Sequence, residues 1–296
     1  MAATTTGSTL PSRERSALLR FVVEQPLGAA AFVVILVMAL AAAFADWIVP
    51  YDPEAIDFSA MLAAPSPAHP FGTDAFGRDI LTRIIYGART ALSIGLLSSL
   101  LGCAAGAVIG VASAYFGGRT DLVVQRFVDI LLSFPIIVLA LVVVAMLGRR
   151  LVLGIDVNLI VAIAIPIVPK VARVIRSAAL SIREMPYIDA ARAAGYSHAR
   201  IIFRHMCPNV VAPFLIMLTA FIAQAILLEA SLSFLGLGVS EPKPAWGLML
   251  AGNASDFYRE APWMVIFPGL AISLAVFAFN LLGDSLRDWL DPKFRT

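Results

Sequence analysis

Tyr187-Ile188-Asp189-Ala190-Ala191-Arg192-Ala193-Ala194-Gly195-Tyr196-Ser197-His198-Ala199-Arg200-Ile201-Ile202-Phe203-Arg204-His205-Met206-Cys207-Pro208 is a polar passage between two long apolar runs. Pro186 favours a helix start just after it, and Tyr187 to Ala194 is rich in good helix formers. Gly195 can end that helix in a left-handed cap without steric cost. Ser197 is a suitable N-cap for a second helix, expected to run to about Met206, before Pro208. Two short helices meeting at a glycine make a compact knob. Ala190, Ala191, Ala193 and Ala194 permit close approach, Ile201, Ile202 and Phe203 offer apolar contact, and Arg192, Arg200 and Arg204 suit an acidic partner. That chemistry fits docking better than catalysis. The competing reading is a basic loop whose arginines set orientation and touch lipid headgroups.

Working outward from the knob, the chain is apolar on both sides. Of its 296 residues 60% are hydrophobic and 14% charged, with a mean hydropathy of +0.87. A soluble domain carries about 25% charged residues, so this composition excludes an aqueous globule. Crossing a hydrocarbon core of about 30 Å takes about 20 apolar residues. Six segments qualify: about 27–49, 91–114, 127–147, 153–175, 210–230 and 263–283. The predicted fold class is therefore an all-α polytopic membrane protein with six transmembrane helices. In the fourth segment Lys170, Arg173 and Arg176 fall in the final turns, where long basic side chains snorkel to the interface.

Six spans put both termini on one side. With the N-terminus inside, the inner segments hold 15 of the 22 lysines and arginines and the outer ones 7, so the positive-inside rule favours N-in, C-in. The expected organisation is a cytoplasmic tail over 1–26, of which residues 1–12 are expected to be disordered, and a first span at 27–49. An outer loop over 50–90 follows, with a short surface helix from Asp79 to Tyr86. A core over 91–283 holds the cytoplasmic loop 181–209, and a C-terminal tail covers 284–296. Ala43-Phe44-Ala45 resembles a signal-peptidase site. The apolar stretch is longer than a signal h-region, so an uncleaved anchor is expected.

Inside the spans, Gly102, Gly106 and Gly110 form a small-residue stripe on which another helix can pack closely; which helix is left open. Pro135, Pro166 and Pro169 mark bends. Gln224, Ser273 and Asn280 are among the few polar groups at depth and are candidates for lining a path. Glu229 falls near the outer end of the fifth span, where interfacial water would solvate it. The sequence places no Asp, Glu or His in the middle of a span. Cys103 and Cys207 are too far apart in the topology to bridge.

The passage around Asp189 resembles the E-A-A-x3-G-x9-I-x-L-P loop of bacterial ABC-importer permeases. Asp189, Ala190, Ala191, Gly195 and Pro208 match its spacing, while His205 and Cys207 stand at the aliphatic positions. The resemblance extends from about residue 25 to the C-terminus. It is carried by His69-Pro70-Phe71-Gly72-Thr73-Asp74, Gly77-Arg78-Asp79, Tyr86-Gly87-Ala88-Arg89, Tyr115-Phe116-Gly117-Gly118-Arg119, Glu229 to Gly238, and Asn280-Leu281-Leu282-Gly283-Asp284. These stretches are similar to the C-type permease subunits of dipeptide/oligopeptide importers (DppC/OppC type). The resemblance implies a type I importer fold of five core helices plus an N-terminal one. It further implies a heterodimer with a B-type permease, two ABC ATPase subunits inside that bind ATP and Mg, and a solute-binding protein outside. In that reading Asp189, Ala190, Ala191, Arg192, Gly195, Arg200, Arg204 and Pro208 form the ATPase-coupling loop.

The expected function is thus a permease subunit for di- or oligopeptides or a related small solute. No G-x-x-x-x-G-K-[ST] pattern occurs, so nucleotide binding by this chain is not expected. His69, His198 and His205 are dispersed, and no metal site, cofactor, nucleic-acid partner or catalytic cluster is expected. The carboxylates of Asp74 and Asp79 read as turn and cap residues rather than metal ligands. The alternatives are an autonomous ion-coupled carrier, disfavoured by the lack of intramembrane ionisable groups, and, more remotely, a membrane-embedded enzyme.

Overall fold

The structure is a computed structural model that describes residues 17–152 and 154–290. The expectation of disorder over residues 1–12 lies outside them. Among the described residues the regular structure is helical apart from one two-stranded hairpin. A short helix α1 (Ala17–Glu24) leads into α2 (Pro26–Ala43) and the single turn α3 (Ala45–Ile48). A long loop with one 3-10 turn at Phe58–Ala60 reaches α4 (Ile80–Phe116). Then come α5 (Gly118–Leu132), α6 (Ile136–Leu147), strands β1 (Leu151–Val152) and β2 (Ile155–Asp156), and α7 (Val157–Arg183). The polar passage forms α8 (Pro186–Ala193), α9 (His198–Ile201) and a π-helical turn (Ile202–Met206). That turn runs straight into α10 (Cys207–Phe234), and α11 (Trp246–Leu250), α12 (Asn253–Asp256) and α13 (Trp263–Leu290) complete the fold.

Among the described residues five helices are long and apolar enough to cross a membrane: α2, α4, α7, the continuous unit through α10, and α13. A sixth crossing exists if α5 and α6 count as one span. The third segment, expected over 127–147 with a bend at Pro135, is broken there into α5 and α6, which meet at 93°. Pro135 has no N–H to continue the helical ladder, and the Ser133 hydroxyl bonds back to Ile130 O at 2.7 Å. The break therefore falls at Ser133-Phe134-Pro135.

The α4–α7 pair is the centre of the bundle. Gly102, Gly106 and Gly110 lie against the α7 carbonyls of Ala164, Val168 and Ala172. Both series step by four residues, so glycine faces carbonyl at three successive turns. A Cβ on Gly106 would sit 2.7 Å from Val168 O, too close for any side chain. In a bilayer, where lipid tails are as apolar as leucine, such close packing is what joins helices. The stripe's partner is thus in the same chain.

At 37 residues α4 spans about 55 Å at 1.5 Å per residue, well beyond a hydrocarbon core of about 30 Å. Its first turns stand in a cap at the end of the bundle away from the polar passage. The expected separate surface helix from Asp79 to Tyr86 does not form. Asp79 instead N-caps α4, accepting from Thr82 N at 2.8 Å, and Ile80 is buried with Ala75, Ala254, Ala261 and Met264. An ionic cluster, buried except for the exposed Glu241, ties the cap together. Arg78 bonds Asp74 through Nε at 2.6 Å and Glu241 through Nη1 at 2.7 Å. Arg83, 1% exposed, donates to Pro53 O at 2.7 Å and Pro242 O at 3.2 Å. Burial alone would lower the Arg78 pKa, but the Glu241 hydrogen bond and the Asp74 charge outweigh it and hold the guanidinium above its ordinary value. These carboxylates serve as caps and ion-pair partners, and among the described residues no group suited to a metal ion is found.

Two further expectations change. Glu229 is fully buried, not water-exposed. The chain after α10 folds back over it, with Leu237 N and Gly238 N both bonded to Leu232 O, and Ser233 Oγ donates to Glu229 Oε1 at 2.7 Å. Helix α7 runs unbroken through Pro166 and Pro169 to Arg183, so Arg173 and Arg176 are not at a helix end. They pair with Asp129 and Asp121 on α5 rather than snorkelling. At the other edge, α1 and α2 pack on α13, with Gly28 of α2 against Ser285 and Phe21 of α1 edge-on to Trp289 at 5.8 Å. The expected anchor helix is thus an integral layer of the fold. It ends at Ala43, six residues short of the expected limit. Helix α13 likewise continues to Leu290, through residues expected to begin a tail.

Candidate functional site

The polar passage forms a knob at the end of the bundle opposite the cap. Helix α8 starts at Pro186, and it closes in a Schellman motif: Tyr196 N bonds Ala191 O at 3.1 Å and Gly195 N bonds Arg192 O at 3.0 Å. Gly195 takes φ +76°, as the motif requires. Ser197 caps α9 through Arg200 N. The second element does not stop before Pro208, however. It passes through the π turn into α10, where Pro208 sits in the first turn, directly after the π turn. The knob is thus one free helix, α8, docked against the projecting end of a membrane helix.

Its inner face is glued to the bundle. Ile188, Ala191, Ile201 and Met206 are buried in one cluster with Ile175, Ala179 and Tyr115. Tyr115 Oη lies 2.7 Å from His198 Nδ1, joining the end of α4 to α9. Ile201 and Ala191, expected to offer contact to a partner, instead face inward. The sequence could not separate the two faces, since alanine and isoleucine suit either.

The outer face carries the charge. Asp189, Ala190, Arg192, Gly195, Arg200, Arg204 and Pro208 are exposed, as is Phe203. Asp189 and Arg192 pair within α8 at 3.0 Å, an exposed contact worth little to stability. Arg200 stacks over Tyr196 at 4.0 Å, and the His205 ring stacks 5.9 Å from the Tyr196 ring. Cys207, a free thiol, lines an apolar groove of about 470 Å³ beside Val108, Val111, Phe203 and Phe214. Flat aromatic and guanidinium surfaces on a rigid base favour protein docking.

The other candidates lie elsewhere. Gln224 is half-buried on α10, whereas Ser273 and Asn280 are exposed on α13. No hydrogen bond joins them among the described residues, so the structure does not gather them into a single site. Gly102, Gly106 and Gly110 sit in the α4–α7 interface. Sequence reasoning missed Asp121 and Asp129, which no local signal marks, because their pairing with the α7 arginines is a tertiary contact.

Comparison with known proteins identifies this architecture. Residues 106–296, more than half of the chain, match the family described as binding-protein-dependent transport system inner membrane component. Residues 15–65 match the N-terminal TM domain of oligopeptide transport permease C. A dipeptide transport system permease protein DppC of Alkalihalophilus pseudofirmus is 46% identical over 235 residues, 79% of this chain and 75% of that protein. A glutathione transport system permease protein GsiD of Pectobacterium atrosepticum is 41% identical over 278 residues, 94% of this chain and 90% of that one. In structure, a chain of the MetNI methionine ABC transporter in an inward-facing form shares the fold. It covers 70% of this chain and 97% of its own length, with a TM-score of 0.51 and 18% identity. This chain, a multi-pass helical bundle with a polar knob between two of its spans, matched by family model and by relatives, belongs to the family of inner membrane components of binding-protein-dependent transport systems, as a permease subunit of an ABC importer.

Proposed function

We propose that this subunit forms half of a translocation path for di- or oligopeptides, or a related small solute such as glutathione, in the bacterial inner membrane. Its relatives' names support the substrate class. The other half is a B-type permease, a solute-binding protein delivers cargo from outside, and two ABC ATPase subunits bind ATP and Mg inside. This chain itself holds no cofactor and catalyses no reaction. The N-in, C-in orientation puts the knob in the cytoplasm, as the basic-residue count favours.

The observation that carries this reading is the knob: a helix with an exposed polar face, clamped by Ile188 and Ala191 onto the bundle's core cluster. Force applied to it is passed into α4, α7 and α10 rather than lost in a flexible loop. Asp189, Ala190, Arg192, Gly195, Arg200, Arg204 and Pro208 supply the contact surface. Gln224, half-buried on α10, and Ser273 and Asn280, exposed on α13, are the candidates for lining that path. Proteoliposomes holding the complete complex test the reading: peptide uptake requiring ATP and the binding protein is expected. Uptake by this chain alone, driven by a proton or sodium gradient and indifferent to ATP, would overturn it.

A further inference from the structure

Helix α5 is set off by sharp turns at both ends and gripped along its side by ion pairs. At its start, Gly117 and Gly118 adopt φ +61° and +55°. At its end, Ser133-Phe134-Pro135 makes the 93° turn into α6. Between these turns two arginines of α7 hold it. Arg176 meets Asp121 in a fork, Nε to Oδ1 at 2.5 Å and Nη2 to Oδ2, and Arg173 Nη2 meets Asp129 Oδ1. Ser113 Oγ donates to Asp121 Oδ1 at 2.5 Å, and Gln125 Nε2 donates to Ser113 Oγ at 3.1 Å. A third arginine, Arg183, donates to Ala114 O at 2.8 Å, pinning the corner where α4 ends.

The spacing matters. Asp121 and Asp129 are eight residues apart, about 12 Å along α5. A single pair would let α5 pivot about one point; two pairs at that separation fix its direction as well. Forked arginine–carboxylate contacts also fix angle, which a lysine would not. Helix α8 follows Arg183 after two residues, so the gripping helix is the one that carries the knob.

We propose that Arg173, Arg176, Asp121 and Asp129 are positioning residues that make α5 move with α7 and the knob as one body, hinged against α6 at Ser133–Pro135. The proposal rests on the knob being the ATPase contact. In this arrangement the stroke of the ATPase reaches the exposed α5 face of Leu122, Val123, Phe127 and Ile130 through side-chain pairs. The backbone route through α6 has to cross the bend.

The test uses the full reconstituted complex, scoring solute transported per ATP hydrolysed and the ATPase subunits that co-purify. Asp121→Asn is expected to keep co-purification and ATP turnover while cutting transport per ATP at least about tenfold, or about 1.4 kcal/mol. The reversed pair Asp121→Arg with Arg176→Asp is expected to restore most of it. Arg176→Lys, which keeps the charge but loses the fork, is expected to fall between. An unchanged ratio in Asp121→Asn or Arg176→Lys overturns the proposal, as does a reversed pair that assembles yet remains uncoupled. Should Asp121→Asn fail to accumulate, the Arg176→Lys ratio decides alone. Loop variants separate the two readings. If Gly195→Val uncouples and the clamp variants do not, only the clamp falls; if neither loop nor clamp variants alter coupling, the docking reading falls with it.

Discussion

Replacing Gly195 isolates one physical variable. The residue has φ +76°, and a Cβ built there meets nothing within 4 Å. A substitution therefore costs backbone strain alone, with no clash to confuse the reading. An L-residue forced left-handed loses about 1–2 kcal/mol, least for Asn and most for a β-branched residue. That strain acts directly on the two bonds closing the motif, Tyr196 N to Ala191 O and Gly195 N to Arg192 O. One to two kcal/mol shifts an equilibrium by a factor of about 5–30, so Gly195→Val should lower the closed-to-open ratio of the knob by that factor. In proteoliposomes the expected order of transport per ATP is Gly, Asn, Ala, Val, with membrane insertion equal in all four. If Asn is as damaging as Val, the loss comes from a side chain at the docking surface and the backbone argument is wrong. If Val transports normally, the closed knob is not what the ATPase engages.

Three other outcomes follow from the packing. Gly106→Val forces a side chain into Val168 O and Val171 and should destabilise the bundle by about 1–3 kcal/mol, read as a lower unfolding midpoint in detergent; an unchanged midpoint would mean α4 and α7 separate freely. Asp79→Ala removes the α4 cap and should cost about 1 kcal/mol, whereas Asp79→Asn retains most of it, measured by protease sensitivity of the 50–79 loop. Ser233→Ala strips the donor from Glu229 and the acceptor from Val239 N, which lies 3.0 Å from Ser233 Oγ. A cost of about 1–3 kcal/mol is expected for the buried groups left unpaired. Equal stability of Ser233→Ala and the wild type would show that water fills the gap.

Much of this architecture is legible in the chain because membrane spans and caps are local signals. The apolar runs mark α2, α7, α10 and α13 to within several residues, and Pro186, Gly195 and Ser197 mark the knob. What escapes is long-range. Nothing around Asp79 says that α4 continues through the expected surface helix into the span, because Ile80 and Ile84 suit a lipid face as well as a protein cap. The register that sets Asp121 and Asp129 opposite Arg176 and Arg173 depends on how α5 turns at Gly117-Gly118. Burial of Glu229 depends on the chain after Phe234 doubling back. In the knob, alanine spacing predicts a helix but not which alanine faces the bundle.

The ionic cluster of Arg78, Arg83, Asp74 and Glu241 joins segments that are far apart in the chain, from Pro53 to Pro242. Such a cluster turns separate loops into a plate. A load placed on the 50–79 segment is shared at once with the stretch before Trp246, whose indole is bonded to Ile84 O at 2.9 Å. The cap therefore tilts rather than flaps. Whatever presses on that face acts on α4 as on the head of a lever whose other end, at Tyr115, rests against the knob.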